Sequence, residues 1–313
     1  MTTVNYLYAR DKKNVQVTLE GQEYTVTSSE VPVVFYEEGD VSHLVLSCKE
    51  NLSLQDFRVL AALQTAFNQY PEAQKIQFNQ NEVLRADFFQ NPANWCVHGR
   101  TEVQPERWMY TKDVYHPVRP QPVPGELLYS RYVPSLKQTV SFRAVDAEKD
   151  LETFHLWHNQ PYVSEFWELN KSKEELKDYL LKGIADLHSI PTFVEIDGVP
   201  VGYFEMYWTL EDRLGPYYES EAYDRGFHLL IGNKDYLGFN NTDAILKSAS
   251  HYLFLDEPRT RKIMAEPRSD NKRIIRYIDT FTAWRKVKEF DFPHKRAALL
   301  ECRREKFFLG QFL

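Results

Sequence analysis

A chain of 313 residues, 43% hydrophobic and 27% charged, has the makeup of a soluble globular protein, with length for two ordinary domains or one large one. Its formal net charge of -7 excludes broad nucleic-acid binding, which needs a basic face, but leaves room for an anionic small ligand on a local basic patch. No apolar run reaches bilayer-spanning length, so no membrane association is expected. The N-terminus MTTVNYLYARDKK lacks a signal-peptide core. Cys48, Cys96 and Cys302 form neither a CxxC pair nor a disulfide framework, so a reducing cytoplasmic location is expected, with the cysteines as small buried hydrophobes.

In chain order, NVQVTL, YTVTS, VPVVFY and HLVLSC alternate or run apolar and predict strands. SLQDFRVLAALQTAFNQYP predicts a helix with Ser53 as N-cap and Leu54, Phe57, Leu60, Leu63 and Phe67 at helical spacing. KIQF is a further strand. From Asn91 to Pro134 the texture changes, and Pro117, Pro120, Pro122 and Pro124 mark a stiff linker. The predicted organisation is a smaller N-terminal α/β domain over 1–115, a proline-rich linker over 116–134 and a second domain over 135–313.

The second domain reads as a mixed α/β layout. The strand TVSFRAV leads to a helix capped by Asp146. KSKEELKDYLLKGIADL is amphipathic, with Leu176, Tyr179, Leu180 and Ile184 on one side. PTFVEI and VPVGYFEMYW flank Asp197-Gly198, a strong hairpin signal. GFHLLIG is a strand carrying His228, followed by a glycine-bearing loop and a helix that Asn241 or Thr242 can cap. RKIMAEP, the helix DNKRIIRYIDT and the strands RKVKEFDF and RAALLECR close the chain.

An ionisable group inside an apolar strand is unusual. His228 alternates with Phe227 and Leu229, so it can face a cleft while they face the core; a structural, hydrogen-bonded histidine is the plain alternative. Gly238 can bring backbone close to a ligand, and a helix starting beyond it points free N–H groups and a positive dipole end at one spot, which suits a pyrophosphate; a simple turn is the alternative. The strand's own N–H groups can polarise a thioester carbonyl. His155 and His158 are three apart on a helix but have no partners at metal-site spacing, so they read as a surface pair and no metal is expected.

The segments SFR (Ser141 to Arg143), FHLWHNQPYVSEFWE (Phe154 to Glu168), GYFEMYW (Gly202 to Trp208), DRGFHLLIG (Asp224 to Gly232), YLFLDEPRT (Tyr252 to Thr260), EPRSDN (Glu266 to Asn271) and VKEFDFPHKRA (Val287 to Ala297) resemble, in number, order and spacing, the GNAT acyltransferases. The resemblance is to the siderophore-type N-acyltransferases, above all the hydroxylysine acetyltransferases of aerobactin-type pathways, and it covers roughly 123–308. It implies a GNAT fold with a mixed, mostly antiparallel sheet, and an N-terminal domain that is a degenerate copy without a cofactor site. It implies acetyl transfer from acetyl-CoA to an N-hydroxylated primary amine, N-hydroxylysine or a diamine such as N-hydroxyputrescine, giving a hydroxamate. A longer acyl-CoA donor, or an inactive acyl-CoA-binding scaffold, are the alternatives.

The resemblance assigns His228 as proton acceptor and Asp270 as its carboxylate partner, with Glu266 competing and helix capping as the alternative for either. It assigns CoA contacts to Leu229, Leu230, Ile231, Gly238, Phe239, Asn240, Asn241, Asn271 and Arg268, with Lys272 and Arg273 facing the phosphates. Trp157, Asn159 and Trp167 would line the acceptor pocket, Phe166 would be core, and Glu205 would bind the acceptor's distal ammonium or be a surface residue. Two departures stand out. Around Gly238 the pyrophosphate loop keeps only its glycine, and Arg268 stands where the family carries an acid. The tyrosine often used as general acid falls near Ile278 and Tyr277. A homodimer in contact with other siderophore-pathway enzymes is the expected assembly.

Overall fold

The alternating apolar pattern of the first ninety positions folds as a seven-stranded sheet in the computed structural model, which describes residues 1–9, 12–28, 31–98 and 106–313. Residues 99–105, within the stretch from Asn91 to Pro134 where the composition changes, lie outside the described residues, as do 10, 11, 29 and 30. The sheet takes β1 (Thr2–Tyr8), β2 (Lys13–Glu20), β3 (Glu23–Thr27), β4 (Val33–Asp40) and β5 (His43–Cys48). Helix α1 (Phe57–Gln69) then carries the chain to β6 (Lys75–Phe78) and β7 (Asn81–Leu84). All neighbours are antiparallel except β5 and β6, which α1 joins as a parallel pair. Asp56, not Ser53, caps α1: its carboxylate accepts the Arg58 N–H at 2.9 Å and binds the Arg58 guanidinium as well.

Helix α2 (Arg85–Gln90) and a small hairpin, β8 (Trp108–Thr111) with β9 (Val114–Pro117), precede an eight-stranded sheet. Its first strand, β10 (Leu127–Val133), comes from the proline-rich segment expected to be linker. β11 (Gln138–Ala144) leads to α3 (Ala147–His158), α4 (Pro161–Trp167) and α5 (Lys173–Ala185). β12 (Ser189–Ile196) and β13 (Val199–Trp208) form the hairpin expected at Asp197-Gly198, where both residues have positive φ, 49° and 77°. β14 (Arg225–Ile231), α6 (Phe239–Asp256) and β15 (Lys262–Ala265) make the one parallel crossover of this sheet. α7 (Lys272–Thr280), β16 (Trp284–Asp291), β17 (Arg296–Arg303) and α8 (Arg304–Leu309) complete it, in the order β10-β11-β12-β13-β14-β15-β17-β16.

One apolar core runs through both sheets. Trp95, 1% exposed, stacks on Phe89 at 5.4 Å and meets His251 of α6 edge-on at 5.4 Å. His251 is fully buried and bridges the halves, with Nε2 on the Phe89 carbonyl at 2.6 Å and Nδ1 on the Tyr129 hydroxyl at 2.9 Å. Burial pushes its pKa well down, so it packs as a neutral imidazole. A second cluster, with Phe154, Trp157, Leu176, Leu180, Phe193, Tyr203 and Leu230, lies on the other face of the second sheet under α3 and α5. Among the described residues no helix is long and apolar enough to cross a membrane.

Candidate active site

Strand β14 pairs with β13 along its whole length but with β15 only at Arg225 and Gly226. Beyond Gly226 the parallel strands diverge, leaving a wedge. The Gly232 N–H bonds the Val201 carbonyl at 3.0 Å, so by the antiparallel alternation the even-numbered residues of β14 turn their backbone toward β13. Leu229 and Ile231 turn theirs into the wedge, where they can receive an extended polar chain and a carbonyl oxygen. Leu230 packs its side chain into the cluster under α3.

Helix α6 follows the unpaired end of β14 after residues 232–238. Gly238, rather than Asn241 or Thr242, is its N-cap, and no side chain covers the first turn. Gly238 has φ 143°, a backbone that favours glycine, while a Cβ there would meet nothing within 4 Å; glycine serves the turn's geometry, not a tight contact. The exposed Phe239 and Asn240, with Asn241, form that first turn. The helix N-terminus is thus open to an anion. The corresponding end of α1 is closed by the Asp56 carboxylate.

Beside the wedge, three strands bring an ionised array together. Tyr203, Glu205 and Tyr207 alternate along β13 onto one face, and the register sets Glu205 opposite His228. The His228 ring lies between two carboxylates, with Nδ1 3.0 Å from Glu205 Oε2 and Nε2 3.1 Å from Glu266 Oε1. The Tyr207 hydroxyl donates to the other Glu266 oxygen at 2.7 Å. Lys295 donates to the Glu266 carbonyl at 2.7 Å and stands 3.7 Å from its carboxylate. Tyr179 and Tyr203 donate to Glu205.

Burial alone would lower the His228 pKa, but the bonds and charges of Glu205 and Glu266 outweigh it and raise it to about 10. Burial likewise opposes ionisation of Glu266, yet His228, Lys295 and Tyr207 hold it at about 2. Glu205 is held below the usual carboxylate range, burial again being overcome by His228 and the two tyrosines. Both carboxylates thus favour the charged imidazolium form of His228 over the free base.

The other expected site residues divide. Asp270 is exposed and pairs with Arg268 at 2.7 Å; the carboxylates on His228 are Glu205 and Glu266, because β15 ends at Ala265 and leaves Glu266 at the wedge while Asp270 lies in the following turn. Asn271, not Asp270, caps α7, accepting the Ile274 N–H at 3.3 Å. Glu205 is not a surface group: it lines a cavity and holds His228. Trp157 is 3% exposed and packs on Phe193 and over Gly232, where a Cβ would stand 2.1 Å from its ring, so it is core and not pocket wall. Asn159 is exposed and ties the end of α3 to the Lys171 carbonyl at 3.1 Å. Trp167 does reach the site, with its ring 6.4 Å from His228. Phe166 is 61% exposed rather than core. His158 is fully buried against Phe154, not at the surface. Tyr277 is buried with its hydroxyl on Asp243 of α6, and burial raises its pKa further.

A cavity of about 340 Å³ opens on His228 and Glu205 and runs across β13 and β12 to the end of α5, with walls from Tyr179, Tyr203, Tyr207 and Pro191. Sequence reasoning missed the site roles of Tyr179, Tyr203 and Tyr207, whereas Lys295 lies in the segment Val287 to Ala297 that carries the family resemblance. The period-two placement of Tyr203, Glu205 and Tyr207 was a signal for the first strand's share.

Residues 146–292 match the GNAT acetyltransferase domain family. A Schizosaccharomyces pombe protein named "Putative lysine N-acyltransferase" is 38% identical over 238 residues, covering 74% of this chain and 70% of that one. An Escherichia coli N(6)-hydroxylysine O-acetyltransferase is 40% identical over 197 residues, covering 63% of this chain and 62% of that protein, less than two thirds of its length. The crystal structure of an uncharacterized Bacillus halodurans protein overlays with a TM-score of 0.54 at 32% identity, over 58% of this chain and 93% of that one. Wedge, open helix end and neighbours together define a GNAT fold. The chain belongs to the family of that Schizosaccharomyces pombe protein, named as a lysine N-acyltransferase.

Proposed function

We propose that the protein transfers an acetyl group from acetyl-CoA to the nitrogen of an N-hydroxylated primary amine, forming a hydroxamate for siderophore assembly. The observation that carries this is the juxtaposition of an open strand edge leading to an uncapped helix N-terminus with the Glu205–His228–Glu266 array at the mouth of a cavity. In this reading the pyrophosphate of CoA lies on the first turn of α6, its amide arm runs along Leu229 to Ile231, and a backbone N–H of that edge takes the thioester oxygen as it becomes an oxyanion. Exposed Lys272 and Arg273, in the first turn of α7, are available to the outer phosphates.

A hydroxylamine nitrogen is weakly basic and arrives neutral, so no ammonium has to be deprotonated before attack. When it adds to the carbonyl the nitrogen becomes positively charged and strongly acidic, and a carboxylate of low pKa suffices to take its proton. Glu205 lines the cavity and Glu266 does not, so Glu205 is the acceptor in this reading. His228 stays charged and keeps both carboxylates aligned and ionised. Collapse of the intermediate breaks the C–S bond, and the proton taken from nitrogen ends on the CoA sulfur.

The N-terminal sheet repeats the antiparallel run with one helix-linked parallel pair, and we read it as a degenerate copy whose helix end Asp56 has closed. The same reading places the protein in the cytoplasm, where acyl-CoA is available, as a homodimer near the enzymes that supply the hydroxylated amine. Thiol release from acetyl-CoA tests the reaction. Release with N-hydroxylated lysine, putrescine or cadaverine, and not with the parent amines, is expected; equal rates with the parent amines would refute the acceptor class.

A further inference from the structure

The cavity in front of His228 is electrically two-ended. Glu205, Asp212 and His228 line its inner end, and there the carboxylates outnumber the cation. Its outer end holds Lys112, Lys182 and Asp186. Lys112 Nζ stands 3.7 Å from Asp186, and Lys182, in the last turn of α5, makes no ion pair among the described residues. The register fixes how far apart the ends are. His228 lies opposite Glu205, and Glu205 opposite Pro191, so the path from His228 to the start of β12 crosses two strand spacings, about 10 Å. The walls between are the apolar faces of Tyr203 and Pro191. An aliphatic chain of four or five carbons fits such a path.

The outer end is built, not incidental. Asp186 is held by the His188 ring at 2.5 Å and by the His188 N–H at 2.9 Å. The other His188 nitrogen meets the Thr111 hydroxyl at 2.7 Å, and the same hydroxyl meets His116 at 2.6 Å. His116 and Arg119 in turn hold the buried Glu211. The β8–β9 hairpin, which lies outside the matched domain, is thereby pinned to the second sheet with Lys112 at the cavity.

We propose that Lys112 and Lys182 are specificity-determining residues that bind the α-carboxylate of the acceptor while Asp186 binds its α-ammonium, so that the acceptor is an N-hydroxylated α-amino acid and not a diamine. The assignment rests on the acyl-transfer reading above. A diamine would bring a lone cation to an end carrying two lysines and one aspartate. An amino acid brings one carboxylate and one ammonium to the same three groups, and the neutral hydroxylamine reaches the array. Charge-assisted hydrogen bonds from two ammonium groups to one carboxylate are strong enough to set the choice.

The test is calorimetric binding of N6-hydroxylysine and of N-hydroxycadaverine, its counterpart without the carboxylate, to the full chain saturated with CoA, alongside thiol release from acetyl-CoA. The amino acid is expected to bind at least about tenfold more tightly. Lys112→Met should remove most of that preference by weakening the amino acid alone, Lys182→Met should act in the same direction, and Lys112→Arg should retain it. Equal affinity for the two acceptors, or a Lys112→Met loss shared equally by both, overturns the assignment. Preferential binding of the amino acid without thiol release would contradict the acyl-transfer reading and leave the carboxylate site standing.

Discussion

His228 Nε2 lies 3.1 Å from Oε1 of Glu266, a carboxylate only 3% exposed, and the contact joins two strands at the point where they part. Removing the negative charge while keeping the shape breaks the clamp from one side. Glu266→Gln is expected to lower kcat by about 100-fold, because His228 loses the anchor through which it aligns the proton-accepting Glu205, with little change in the KM for acetyl-CoA. Steady-state kinetics at fixed pH reads this, and Tyr207→Phe, which removes one donor to Glu266, should cost far less.

The pH dependence follows from the same pair. His228 is raised from 6.5 to about 10, so its contribution to stability is complete below 6.5 and disappears as pH rises through about 10. Glu266 is lowered from 4.5 to about 2, so its contribution is complete above 4.5 and disappears as pH falls toward 2. Both are fully present between 4.5 and 6.5. Nitrogen NMR of the His228 ring should show both nitrogens protonated at pH 8, and titration near 6.5 would show that the clamp does not form.

Gly226 lies opposite Tyr207 in the sheet, and a Cβ there would stand 2.3 Å from the tyrosine ring. The ring occupies that space in order to reach Glu266. Gly226→Ala is expected to push Tyr207 aside, costing about 1–3 kcal/mol in urea unfolding through overpacking and lowering kcat as well. An unchanged kcat would mean that Tyr207 is dispensable to the array.

The two halves should unfold as one unit. Trp95 links Phe89 to His251 across the boundary, and Trp95→Ala should destabilise by about 3–5 kcal/mol without splitting the transition. Two separate urea transitions would refute the shared core.

Much of this was legible in the chain. The strands from β11 to β17, the longer helices between them and the Asp197-Gly198 turn follow from local pattern, since hydrophobic period and turn chemistry act over a few residues; the short α4 and α8 and the strand β10 did not, and the cleft position of His228 came from the family resemblance. The partner of His228 was not, because Glu205 and Glu266 reach it through strand register, which depends on how distant segments pair. Asp270 was favoured by its motif position, yet β15 ends early enough to leave Glu266, not Asp270, beside the ring. Trp157 looked like pocket lining because aromatic residues serve cores and sites alike, and only the missing side chain of Gly232 shows what it fills. Lys112 comes from a hairpin whose docking no local pattern encodes.

The most direct measurement of the central claim is the identity of the acylated atom. The product of acetyl-CoA and an N-hydroxylated amine, made by the wild-type protein and by Glu205→Gln, should be assayed for the coloured iron(III) complex of a hydroxamate. Attack by nitrogen at the Glu205–His228–Glu266 array predicts a hydroxamate from the wild type and about 100-fold slower formation by the variant. An O-acetyl product that gives no coloured complex, or a variant as fast as the wild type, would contradict it.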